Sequence, residues 1–103
     1  MQSVCLKFYI TEKQRHDSSL LYEWLLQEAK KLGVPGGSVF HAIAGYGRHG
    51  RLHEEVFFEL AGELLLQVEF VLDEIVADRL LQTLRDCQLK LFYVRYAVET
   101  GVL

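Results

Sequence analysis

The stretch Leu64 to Leu72, LLLQVEFVL, constrains the fold more than any other part of the chain. Leu64, Leu66, Val68, Phe70 and Leu72 alternate with Leu65, Gln67, Glu69 and Val71. A period of two is the mark of a strand with one face in a core. Near Asp73 the period changes to that of a helix, with Val76, Leu80 and Leu84 on one stripe and Ala77 and Leu81 beside it. A strand that runs straight into an amphipathic helix must pack that helix against a sheet. The N-terminal third has the same plan. Val4 to Ile10, VCLKFYI, sets Leu6, Phe8 and Ile10 against Cys5, Lys7 and Tyr9. A polar run, TEKQRHDSS, separates it from a helical stripe of Leu21, Leu25, Ala29 and Leu32, with Glu28 in the same row. Glu23, Gln27, Lys30 and Lys31 face water. Asp17 or Ser18 is expected to cap this helix, and Gly33 followed by Pro35 to end it.

Two more extended segments complete the pattern. Gly36 and Gly37 open SVFHAIAGYG, and Leu89 to Ala97, LKLFYVRYA, forms the last strand. Glu54 to Leu60 reads equally as a short strand or a turn of helix. Two strand–helix units, each followed by a strand, predict an α+β ferredoxin-like sandwich (βαββαβ). Four antiparallel strands would carry two helices on one face, in one domain over residues 1–103. With 50% hydrophobic residues, 103 residues suffice for a single core.

Charge narrows the class further. The formal net charge is -3, which argues against nucleic-acid binding through a basic face. No apolar run approaches the roughly 20 residues of a membrane helix, because Gln67, Glu69, Asp73 and Glu74 break the most apolar stretch. Met1 to Cys5 lacks the pattern of a secretory signal. Cys5 and Cys87 form no CxxC pair, so a reduced, cytoplasmic protein without a disulfide framework is the expectation.

In a two-layer sandwich one sheet face stays uncovered. Here it would carry Cys5, Lys7, Tyr9, Leu65, Gln67, Glu69 and Val71. That set is too apolar for a solvated face and too charged for a core. It suits an oligomer interface in which Lys7 and Glu69 pair.

Residues able to bind a ligand concentrate in one place. Gly45 to His53, GYGRHGRLH, holds three glycines, Arg48, Arg51, His49 and His53. Glycines let backbone N–H groups converge on an anion, and arginine adds bidentate contacts to phosphate or carboxylate. A solubilised hairpin connection would need the same residues. The segment matches neither the Walker A pattern nor a complete GxGxxG. Tyr46 is the aromatic placed to stack on a ligand. His49 and His53 would face one metal only on a helix, which Gly50 disfavours, so no metal site is assigned. His41 reads as a structural histidine. Cys5 and Cys87 have no evident base beside them, and Glu12, Arg15, His16 and Asp17 crowd the first strand–helix connection. There capping and solvation compete with acid–base chemistry.

Several blocks in order resemble one family. They are YITEKQRHDSSLLYEWLLQEAKKLG (Tyr9 to Gly33), GGSVFHAIAGYG (Gly36 to Gly47), RLH (Arg51 to His53), LLLQVEFVLDE (Leu64 to Glu74) and the LKLFYVRY strand. The chain is similar to the PII-like proteins of domain-of-unknown-function family 190. The resemblance implies a ferredoxin-like trimer, non-catalytic and without a cofactor. Such a trimer would sense a nucleotide or other small anion between subunits and contact a protein partner through the 45–63 loop. Gly45-Tyr46-Gly47-Arg48 resembles the Gly-Phe-Gly-Arg at the base of the PII loop. Lys90 resembles the phosphate-contacting lysine of Gly-Asp-Gly-Lys-Ile-Phe-Val, although Cys87-Gln88-Leu89 precede it without either glycine. The implied ligand-binding residues are thus Gly45, Tyr46, Gly47, Arg48 and Lys90. Two alternatives stand beside this reading. One is a metal-binding trimer similar to the divalent-ion tolerance proteins, using His49 and His53. The other is a small enzyme of the same architecture using Glu12, Arg15 or His41.

Overall fold

Strand and helix follow one another as the alternation requires. A computed structural model describes residues 2–45 and 64–103. Within them run β1 (Ser3–Thr11), β2 (Arg15–His16), β3 (Ser19–Leu20), α1 (Leu21–Lys31), β4 (Gly37–His41), β5 (Leu65–Asp73), α2 (Glu74–Asp86) and β6 (Phe92–Val98). The main sheet has the order β4-β5-β1-β6, antiparallel at every pairing. The fold is the ferredoxin-like α+β sandwich, with the two helices over one face.

The register decides what lies on each face. Leu6 stands opposite Phe70, Phe8 opposite Val68, and Val39 opposite Val68 on the other side. Leu6, Phe8, Val68 and Phe70 are fully buried beneath Leu21 and Leu25 of α1 and Leu80 of α2. Burying each such side chain stabilises the fold by roughly 1.5–3 kcal/mol. Phe8 and Phe70 meet edge-on at 6.4 Å. Gly37 makes room for that pair. A Cβ there would stand 2.5 Å from Phe70 Cε1 and 3.1 Å from Leu26 Cδ2.

Both helices close in the same way. After α1, Gly33 (φ 88°) and Val34 donate to the carbonyls of Lys30 and Ala29. After α2, Gln88 (φ 60°) and Leu89 donate to those of Arg85 and Leu84. These are Schellman endings, which require a left-handed residue after the cap.

The structure corrects several expectations. Neither Asp17 nor Ser18 caps α1. The segment turns back as the β2–β3 hairpin, Asp17 takes a left-handed φ of 57°, and Leu20 occupies the cap position with no side-chain bond. The His16 ring packs on Trp24, with centroids 4.4 Å apart. The last strand starts at Phe92, because Leu89 is taken up in closing α2. The strand after α1 ends at His41. Leu64 precedes β5 and is 41% exposed, so it lies outside the core. Glu54 to Leu60 lies outside the described residues.

Candidate functional site

Of the five implied ligand residues, Gly45 and Lys90 are described, whereas Tyr46, Gly47 and Arg48 lie outside the described residues. His41 pairs with Leu66, Leu66 with Ile10, and Tyr9 with Phe92. Gly45, four residues past His41, and Lys90, just before β6, therefore stand at the same end of the sheet. They stand on opposite edges of it, since β4 and β6 are the two edge strands. Three strand spacings of about 4.8 Å separate those edges by roughly 14 Å. One copy of the chain does not close Gly45 and Lys90 around a small anion. No described residue outside its chain neighbours comes within 4 Å of where a Cβ at Gly45 would stand.

Lys90 lies in the connection between α2 and β6, not within the strand, and it is exposed. The turn before it lacks glycine yet still takes the glycine-type conformation at Gln88 (φ 60°). A left-handed non-glycine residue costs roughly 1–2 kcal/mol, so the helix closure and the packing of Leu89 outweigh that cost.

The uncovered sheet face carries the expected residues, since Cys5, Lys7, Tyr9 and Thr11 stand opposite Val71, Glu69, Gln67 and Leu65. Phe92 and Tyr96 join from β6 and Phe40 from β4, and all three are exposed. The expected Lys7–Glu69 ion pair is absent among the described residues, although the two are directly opposite. Glu69 Oε2 accepts from the Cys5 thiol at 3.4 Å, and its Oε1 accepts from Gln67 at 3.4 Å. Lys7 lies over the Tyr96 ring, 5.4 Å from its centroid. Its ammonium is held above the ordinary lysine value, chiefly by the neighbouring Tyr96 side chain. Burial pushes the Cys5 thiol up, and the Glu69 carboxylate adds to that push.

Of the other candidates, Glu12 and Arg15 make local structural contacts. Glu12 clamps the start of β5, donating its N–H to the Leu64 carbonyl at 3.0 Å and accepting from the Leu64 N–H at 3.2 Å. Arg15 donates to the Ser18 carbonyl at 2.7 Å. His41 is exposed at the end of β4. His49 and His53 lie outside the described residues. Among the described residues no three His, Cys, Asp or Glu side chains converge as metal ligands. No described helix is long and apolar enough to cross a membrane.

Comparison with known proteins gives a consistent picture. The model of the DUF190 family, described as Uncharacterized ACR, matches residues 3–99. A UPF0166 protein of Aquifex aeolicus is 31% identical over 80 residues, which cover 78% of this chain and 76% of that one. The UPF0166 protein MJ1524 of Methanocaldococcus jannaschii is 31% identical over 52 residues, covering 50% of this chain and 48% of that one. A crystal structure from Thermus thermophilus, assigned as a PII-like signaling protein, superposes with a TM-score of 0.57 at 24% identity, over 93% of this chain and 87% of that one. That last likeness is one of fold.

Proposed function

The chain belongs to the DUF190 family, and on that premise we propose that it is a non-catalytic PII-like regulator. It assembles as a homotrimer and senses a small anion, nucleotide-like in character, at the clefts between copies. The observation that carries this reading is the position of Gly45 and Lys90 at one end of the sheet on its two opposite edges. Copies arranged around an axis bring the β4 edge of one against the β6 edge of the next. Gly45, Tyr46, Gly47 and Arg48 then approach from one copy and Lys90 from the other. The guanidinium and the ammonium meet the anion from two sides, and each charge-assisted hydrogen bond contributes roughly 1.5–3 kcal/mol.

The uncovered sheet face supports assembly. Phe40, Phe92, Val71 and Tyr96 are 51%, 59%, 40% and 44% exposed around the polar centre of Lys7 and Glu69. Exposed apolar side chains of this kind suit burial against other copies. The 45–63 loop begins at the same end of the sheet as the cleft, so ligand occupancy there is communicated to a protein partner through it.

The test is calorimetric titration with adenine nucleotides and cyclic dinucleotides, alongside light scattering. A trimeric mass is expected, with binding weakened about tenfold or more by Arg48→Ala and by Lys90→Ala while the mass is unchanged. No binding at about millimolar ligand, or full binding by both variants, would remove the site; a monomeric mass would remove the assembly.

A further inference from the structure

The centre of the uncovered sheet face holds one charge of each sign. Lys7 and Glu69 stand directly opposite on β1 and β5, the two inner strands of the sheet. On one side of them lies a row of Phe40, Gln67, Tyr9 and Phe92, with the Tyr9 and Phe92 rings 5.8 Å apart. On the other side lie Val71, Cys5 and Tyr96. By the same alternation Asp73 belongs to this face, but at its edge, where α2 begins. Lys7 and Glu69 are both half-buried, yet neither makes an ion pair with a described residue. Glu69 accepts from the Cys5 thiol and the Gln67 amide, and Lys7 rests on the Tyr96 ring.

We infer that Lys7 of each copy pairs with Glu69 of a neighbouring copy, and that this pair sets how the copies meet. The inference rests on the assembly proposed above and names the contact that specifies it. Charge selects the occupant. An acidic surface laid on this face would meet Glu69, and a basic one would meet Lys7, so either leaves a like-charged contact. A second copy presents the complement of both. The surroundings point the same way. Phe40, Phe92, Val71 and Tyr96 exclude water once they are covered, and a charge enclosed among them without a partner is strongly unfavourable. Pairing does not require the present contacts to break. A carboxylate accepting two hydrogen bonds keeps lone pairs free, and an ammonium over a ring keeps N–H donors free. Apolar contacts alone would let one sheet slide on the next, whereas one charge pair fixes a single register.

The experiment is light scattering and native mass spectrometry on two charge reversals, Lys7→Glu and Glu69→Lys, alone and mixed. Wild type is expected to be trimeric. Each reversal sets like charges together at every contact between copies. Each should therefore be monomeric where wild type assembles, its association weaker by about a hundredfold or more. Mixed in equal amounts, the two should form assemblies containing both chains, because one is acidic where the other is basic. A ring of two copies of one variant and one of the other keeps a single mismatched contact. Recovery on mixing cannot arise from contacts within one chain. Should circular dichroism show either reversal unfolded, Lys7→Gln and Glu69→Gln take its place. Each should then weaken association, and the double variant should associate at least as well as either, since it leaves no charge unpaired. A monomeric wild type would remove the assembly and this pair with it. With a trimeric wild type, folded reversals that stay trimeric, folded monomeric reversals that do not combine on mixing, or a double Gln variant weaker than both single ones would overturn the pair alone and leave the assembly standing.

Discussion

Cys5 donates its thiol to Glu69 Oε2 across 3.4 Å, on the sheet face that neither helix covers. The two residues are diagonal neighbours, for Cys5 stands opposite Val71 and Lys7 stands opposite Glu69. On a face open to solvent, Cys5 is nevertheless only 2% exposed. Its strand-mate across the other side, Tyr96, and the Lys7 and Glu69 side chains close over it. The Glu69 carboxylate is thereby spent on neutral donors, and Lys7 is left to the Tyr96 ring. Each charge keeps unused capacity, which a neighbouring copy can fill if the face is buried in assembly.

The two cysteines should differ sharply in reactivity. Cys87 is exposed, whereas Cys5 is buried with its thiol held above the ordinary 9.0. Only the thiolate is nucleophilic, so alkylation of the native protein near neutral pH should modify Cys87 quickly and Cys5 only as fast as the fold opens. The sign of the pH effect follows. The folded state disfavours the Cys5 thiolate, so its contribution to stability is complete below the ordinary value of 9.0 and is lost as pH rises through the raised folded value. The difference in Tm between wild type and Cys5→Ala should therefore be constant up to about pH 9 and shrink above it. Equal labelling rates for both thiols in the folded protein would contradict the burial of Cys5.

Glu69→Lys tests the polar centre of the same face. It sets an ammonium directly opposite Lys7, and like charges facing across a ladder are destabilising, by roughly 0.2–1 kcal/mol in exposed pairs. It also takes the acceptor from Cys5 and Gln67. A lower Tm is expected from the single chain's own contacts. If the face is buried between copies, the unpaired charge there costs several kcal/mol more, and light scattering should show a reduced mass. Glu69→Gln, which keeps the shape and an acceptor oxygen, should retain most of both. A Glu69→Lys protein with unchanged mass and Tm would show that this face is solvated.

Gly37→Ala addresses the core. The added Cβ would come within 2.5 Å of the Phe70 ring and 3.1 Å of Leu26. Phe70 is 1% exposed and braced edge-on by Phe8, so it has no free direction in which to yield. Overpacking of this kind costs about 1–3 kcal/mol. Denaturant unfolding should show a midpoint lowered to match, with the slope unchanged. Gly36→Ala is the control, since no described residue beyond its chain neighbours lies within 4 Å of a Cβ there, and it should leave the midpoint close to wild type.

The sandwich is legible in the sequence because its burial has a period. Phe8, Val68 and Phe70 alternate with polar or half-exposed neighbours, so pattern alone assigns them to the core and puts Lys7 and Glu69 on the other face. The β2–β3 hairpin is not legible. TEKQRHDSS has no apolar period, and Asp17 adopts its left-handed turn without the glycine that would announce it. Alternation alone places Lys7 and Glu69 on one face, but which charge satisfies which donor depends on distances of a few tenths of an ångström around Cys5. The closure of α2 onto the start of β6 is hidden for another reason. It arises where a helix end folds back on a strand start, and no spacing in the chain encodes that closure.

Gln88→Gly follows from comparing the two helix ends. Gly33 and Gln88 occupy equivalent positions, each donating to the carbonyl three residues back and each followed by a residue bonded to the carbonyl five back. Both have positive φ, 88° and 60°. At Gly33 this conformation is free of Cβ strain, while at Gln88 it costs roughly 1–2 kcal/mol. Replacing Gln88 by glycine removes that strain but adds freedom to the unfolded chain, which returns about 0.4–1 kcal/mol. A net gain of about 0.5–1 kcal/mol should remain, read as a rise in Tm of roughly 2–6 °C for a domain of this size. Gly33→Gln should lower Tm, because it introduces the strain that Gln88 already bears. The exchange also bears on ligand binding. Gln88 lies two residues before Lys90, and removing its side chain uncovers the backbone of the turn. Affinity for adenine nucleotides should then rise in Gln88→Gly if the anion lies against this turn. A stabilised variant with unchanged nucleotide affinity would place the anion away from it, and a destabilised one would mean that the Gln88 side chain makes contacts outweighing its backbone strain.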